Sequence, residues 1–147
     1  MAFLLANEQN AAVDAAVGEF LPRAVFASDF TWHFVQAWRA GAATGEDRLA
    51  PFAASLPPAE RRWFDEIPPA VGRQAASSLP ATDIIQDYVR SLWCDRLRRL
   101  RGALPAGSDA GTDARRLEIS ADLKRLNMVK WSDVKEMARR FTREGEH

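Results

Sequence analysis

Apolar side chains recur along this chain at spacings of three and four, and nowhere in sustained alternation, so the pattern predicts helices and no sheet. The first segment, 3–20, places Val13, Ala16, Val17 and Phe20 on one face, with Asn7 or Asn10 as breaks and Pro22 as its stop. Ser28 or Asp29 then offers a side-chain oxygen to the orphan amides of a second helix. Phe30, Phe34, Ala37 and Trp38 form its apolar face, and Gly41 stops it. A weaker helix is expected over 46–56, interrupted or restarted at Pro51, and another over 59–67 with Trp63, Phe64 and Ile67 as its apolar face. Residues 68–80 hold three prolines, a glycine and paired serines, and read as a loop with at most a short helix at 71–76.

The strongest element spans 83–104, with Thr82 or Asp83 as its cap. Ile84, Ile85, Tyr88, Val89, Leu92, Trp93, Leu97, Leu100 and Leu104 make a continuous stripe along it. A helix of that length reaches roughly 33 Å and is a natural backbone for a bundle. Residues 105–111 are polar and rich in glycine and proline, and predict a joint about which the C-terminal helices can move. Two more helices come after it. Ile119, Leu123 and Leu126 lie on one over 113–126; Trp131, Val134, Ala138 and Phe141 lie on the other over 131–141, flanked by Met137. Both carry narrow seams, and about four residues join them, an ordinary antiparallel hairpin connection. The expected architecture is all-α: a helical bundle body over 1–104, a flexible joint over 105–111, and a terminal helical hairpin over 112–147. Helices of about twelve residues are marginal alone, so the hairpin must dock on the body or on another protein.

Composition narrows the function. At 147 residues, 47% apolar and 27% charged, the chain suits one soluble domain with a real core. Residues 1–80 carry six basic and nine acidic side chains and residues 81–147 carry fourteen and eleven, an imbalance too mild for a polyanion as main partner. No stretch is apolar enough to span a membrane, no secretory leader is evident, and Cys94 is the single cysteine, so a reducing cytoplasmic setting is expected. Catalytic equipment is missing. There are two histidines, no phosphate-cradling loop, no D-x-D pair for magnesium and no cluster at metal-ligand spacing, so this segment is expected to be no enzyme and to hold no cofactor. His33 reads as a packing residue among aromatics. Cys94 reads as an inert thiol beside Trp93, although Arg96 and Arg98 could lower its pKa. Asp65 and Glu66 are adjacent, so they point apart on a helix and make a poor catalytic pair.

Two basic features remain. The run 90–101 holds five arginines and reads as a solvated face, with contact to acidic protein or nucleic acid as the lesser reading. In the hairpin, Arg115-Arg116, Lys124-Arg125 and Arg139-Arg140 interleave with Glu118, Asp122, Asp133 and Glu136, which suits ion pairs along a two-helix seam. Large apolar residues on and beside that seam are of the types favoured at interfaces. Leu117, Leu123, Leu126, Met128, Val129, Trp131, Val134, Met137 and Phe141 are therefore the candidate partner-binding set, with internal packing of the hairpin as an equal alternative.

The order of body, long helix and terminal hairpin resembles a known family. Phe3-Leu-Leu-Ala-Asn7, Glu19-Phe-Leu-Pro22, the aromatic run Asp29-Phe-Thr-Trp-His-Phe-Val-Gln-Ala-Trp38, the segment from Asp83 through Trp93 into Arg101-Gly-Ala-Leu-Pro105, and the segment from Arg116 to Leu126 are similar to the C-terminal helicase-binding domain of DnaG-type bacterial primases. The resemblance implies a body that shares its fold with the N-terminal domain of the replicative helicase. It also implies a non-catalytic role: recruiting primase to the DnaB-type helicase hexamer in the primosome, with the hairpin on the helicase's N-terminal collar and the body modulating helicase activity. The parent primase, a DNA-directed RNA polymerase that makes primers, would carry its zinc and polymerising domains outside this chain. Segment 45–80 has no evident counterpart in the family. A stand-alone helical adaptor unrelated to replication is the alternative, and an accessory nucleic-acid binder using the arginine run a weaker third.

Overall fold

The computed structural model describes residues 4, 10–42, 49–66, 80–107, 109–128 and 130–144. Of these, 85% are helical and none lies in a strand, so the fold is all-α. The helices are α1 (Ala11–Phe20), α2 (Asp29–Ala42), α3 (Ala50–Ser55), α4 (Pro58–Asp65), α5 (Ala81–Ala103), α6 (Ala110–Met128) and α7 (Trp131–Glu144), with a 3-10 turn at Arg23–Val25.

Short oxygen side chains start three of the helices. Asn10 caps α1, its Oδ1 accepting from the amides of Ala12 and Val13 at 3.1 and 3.3 Å. Ser28 caps α2, its Oγ accepting from the Thr31 amide at 3.2 Å. Asp109 caps α6: its carboxylate accepts from the Thr112 amide at 2.8 Å and from the Thr112 hydroxyl at 2.9 Å. Those bonds hold its carboxyl below the usual carboxylate range, the backbone amide of Thr112 contributing most. With this cap α6 begins at Ala110, inside the stretch expected to be a joint, and Arg116 donates to the carbonyl of Pro105 from the first turns of the same helix. The long helix starts two residues earlier than expected, where the Pro80 carbonyl accepts from the amides of Asp83 and Ile84.

The chain divides into two compact units: Met1–Gly18 with Ser28–Ile84, and Glu19–Ala27 with Ile85–His147. In the first, Val13, Val17, Phe34 and Trp38 are fully buried. The Trp38 indole N–H donates to the carbonyl of Leu4 at 3.0 Å. Phe34, Phe52 and Phe64 form a ring cluster with centroids 5.7–6.1 Å apart, in edge-on and tilted arrangements that suit the aromatic quadrupole. Phe64 joins that cluster, whereas Trp63, expected on the same apolar face, is 53% exposed. Ile67 and the expected loop over 68–80 fall outside the described residues, apart from Pro80.

The second unit gathers the 3-10 turn, most of α5, and both hairpin helices. Its division from the first falls near Ile85 rather than at residues 104–105, so the long helix is grouped with the hairpin. The packing explains why. Trp93 is fully buried, stacks on Phe141 of α7 with centroids 5.2 Å apart and planes at 28°, and donates from its indole to the Phe20 carbonyl at 2.9 Å. Ile85, Val89, Trp93 and Leu97 form the buried stripe at strict fourth positions, while Tyr88 and Leu100, expected within it, are exposed.

Candidate interaction surface

The hairpin is bound into its own unit by both faces of its chemistry. Ile119, Leu123 and Leu126 of α6 and Val134, Met137, Ala138 and Phe141 of α7 are buried. Trp131 is half-buried, with its ring edge-on to Phe20 at 5.7 Å. Around this apolar seam lie ion pairs, of which Arg140–Asp122 joins the two hairpin helices as the interleaved charges predict, while Arg139 turns instead to Glu19 at the end of α1. Arg139 donates from Nε and Nη2 to Glu19 at 2.8 and 2.6 Å. Arg140 reaches across from α7 to Asp122 of α6 at 2.8 Å and lies over the Phe141 ring, 4.8 Å from its centroid. Asp122 is the one described charged residue that is buried, although the charge pattern alone groups it with the other acids of the seam. Its position beside Leu123 and one turn after Ile119 is the available signal: a residue next to a narrow seam is enclosed when the partner helix brings a long cation to it.

The arginine run on α5 is similarly occupied. Arg98 pairs with Asp95 at 2.8 Å and Arg90 with Asp87 at 3.3 Å. Arg99 donates to the Val25 carbonyl at 2.9 Å, and Arg96 lies over the Trp93 ring. Four of the five thus make contacts inside the unit.

Of the nine candidate partner-binding residues, the structure puts Leu123, Leu126, Val134, Met137 and Phe141 in the interior and Trp131 at its edge. Val129 lies outside the described residues. Leu117 and Met128 are the two that face solvent, 72% and 75% exposed. Eleven residues apart on α6, they lie within about 20° of each other around the helix axis and roughly 16 Å apart along it, with the exposed Ala121 and Lys124 between. The outer face of α6 is therefore a line of two long flexible apolar side chains framed by charge, including the Arg115–Glu118 and Arg116–Asp113 pairs.

No family model, curated protein or solved structure matches the chain. Among the described residues no three of histidine, cysteine, aspartate and glutamate are placed to hold a metal ion, and no helix is long and apolar enough to cross a membrane.

Cys94 illustrates how burial settles a competition that sequence leaves open. Desolvation raises its pKa, outweighing the nearby Arg98 guanidinium, and the thiol donates to Asn127 Oδ1 at 3.7 Å. The proton is held at neutral pH, so alkylation by iodoacetamide should be at least about tenfold slower in the folded protein than in urea, because the thiolate is the nucleophile. The unfolded chain releases this proton first, so the stability due to Cys94 is full below the ordinary thiol range of about 8.5 and is lost as pH rises above it. A Cys94→Ser variant showing the same alkaline loss of stability would assign that loss elsewhere.

Proposed function

We propose that this chain is a non-catalytic protein-interaction domain that recruits its parent protein to a replicative helicase, as the likeness to the helicase-binding domain of DnaG-type primases implies. The observation that carries the interaction reading is the outer face of α6. Leu117 and Met128 project from a hairpin whose inner apolar residues are already used. Exposed leucine and methionine in line on a helix, with charges to either side, suit the groove between two partner helices, where methionine adapts to irregular surfaces. The ion pairs Arg139–Glu19 and Arg140–Asp122 hold that face in a fixed setting, which lowers the ordering cost of binding.

The test is calorimetric titration of the chain with its cognate helicase hexamer. In the variant carrying both Leu117→Glu and Met128→Glu, affinity should fall at least about thirtyfold, since two interface anchors contribute about 1–3 kcal/mol each. Melting temperature should change little, because both side chains are exposed. Wild-type failure to bind the helicase removes the replication reading and favours a helical adaptor with another partner. Binding that survives in the double variant moves the interface off α6.

A further inference from the structure

The groove between α1 and α2 in the first unit has no part in the helicase reading. Asp14, Ala15 and Gly18 of α1 and Gln36, Arg39 and Ala40 of α2 line a space of about 490 Å³. That size lies within the range of small-ligand pockets, roughly 300–1,000 Å³. On each helix the lining residues sit within one turn and share a face. The walls are small, Ala15, Gly18 and Ala40, and the other three side chains supply the polarity. The Arg39 guanidinium lies directly against Gly18, where an added Cβ would meet its Nη2 at 3.0 Å. Among the described residues, neither this guanidinium nor the Asp14 carboxylate has an ion-pair or hydrogen-bond partner. Gln36 is half-buried, and its Nε2 is enclosed with no acceptor among the described residues.

Two donors and one acceptor thus face the same space. An enclosed N–H without an acceptor is costly, so a ligand that brings an acceptor to Gln36 recovers free energy on binding. Beside an open guanidinium the strongest such acceptor is a carboxylate, which takes two parallel N–H bonds. A ligand carrying that charge alone would also face Asp14. Asp14 stands one turn before Gly18, roughly 6 Å along the helix axis, so a cationic group a few bonds from the carboxylate meets it instead. An α-amino acid carries both charges at that spacing and has no net charge. We propose that this groove binds a free α-amino acid, its carboxylate on Arg39 and Gln36 Nε2 and its ammonium toward Asp14, with the small walls leaving room for a short side chain.

The probe is L-serine, titrated into the full chain at low salt and followed by NMR at the Gly18 amide, the Gln36 side-chain amide and Arg39 Nε. N-acetylserine removes the ammonium, and serinamide removes the carboxylate. Saturable shifts confined to these signals are expected for serine. Each altered ligand, and each of Arg39→Gln and Asp14→Asn, should weaken binding about three- to fivefold, the scale of an exposed ion-pair contact. Gly18→Ala displaces the guanidinium without changing any charge, and alanine suits a helix interior better than glycine. It should therefore weaken binding with no loss of melting temperature. Arg39 and Gly18 are exposed, so both variants should fold, and the amide spectrum checks it. Equal binding of serine and either altered ligand, or an affinity unchanged by Arg39→Gln or by Gly18→Ala, would overturn the proposal.

Discussion

Phe141→Ala is expected to lower the unfolding free energy by about 3–5 kcal/mol, the usual cost of emptying a buried aromatic site. The ring is 5% exposed and stacks on Trp93, which is itself fully enclosed. Removing it leaves a void against an indole anchored on its other side by the hydrogen bond to Phe20, so the surroundings cannot collapse freely into the space. Arg140, which lies over the same ring, also loses its platform while keeping Asp122. Urea titrations followed by circular dichroism would read the change, as a lower midpoint at unchanged slope. The comparison with Leu117→Ala is the discriminating one. That substitution should be close to neutral for stability, since surface changes fall within about 0.5 kcal/mol. If Phe141→Ala were as mild as Leu117→Ala, the hairpin would not be held by the Trp93 stack.

These two residues also show what periodicity can and cannot resolve. The helical spacing of Ile119, Leu123 and Leu126, and of Val134, Ala138 and Phe141, marks the buried faces of α6 and α7 as the structure has them. What covers those faces is a tertiary fact. A narrow seam flanked by interface-type residues reads equally as a docking surface and as internal packing, and here Trp93 and Phe20 supply the internal partner. Leu117 sits off the seam, and its displacement by two residues from Ile119 is the legible sign of an outward face.

Ser28, offered by the sequence together with Asp29 as a cap, is the residue that caps α2, whereas Asn10, expected only as a break, caps α1. Asp109 is harder to recognise, because it stands among glycine, serine and alanine, a composition that reads as linker. The deciding signal is Thr112 three residues later, whose amide and hydroxyl both find the carboxylate. Trp63 departs from its expected burial for a different reason. In a helix of eight residues an aromatic pair always puts one ring near the edge, and the Phe34–Phe52 cluster selects Phe64.

Trp38 offers the corresponding test in the first unit, and a pair of substitutions there separates packing from hydrogen bonding. The indole is fully buried, and its N–H donates to a carbonyl 34 residues earlier, at Leu4. Trp38→Ala deletes both the ring and the bond and is expected to cost about 3–5 kcal/mol. Trp38→Phe keeps most of the apolar volume and removes the donor. The Leu4 carbonyl is then left without that partner in a buried setting, a penalty of about 1–3 kcal/mol, larger than the net worth of an ordinary hydrogen bond because the acceptor stays desolvated. Hydrogen exchange on the Trp38→Phe protein would locate the loss: protection should fall first at the Leu4 amide, while the amides of α2 that enclose Phe34 stay slow. A Trp38→Phe variant as stable as the parent, with unchanged exchange at Leu4, would mean that ring packing alone accounts for Trp38 and that the indole bond contributes nothing to holding Leu4.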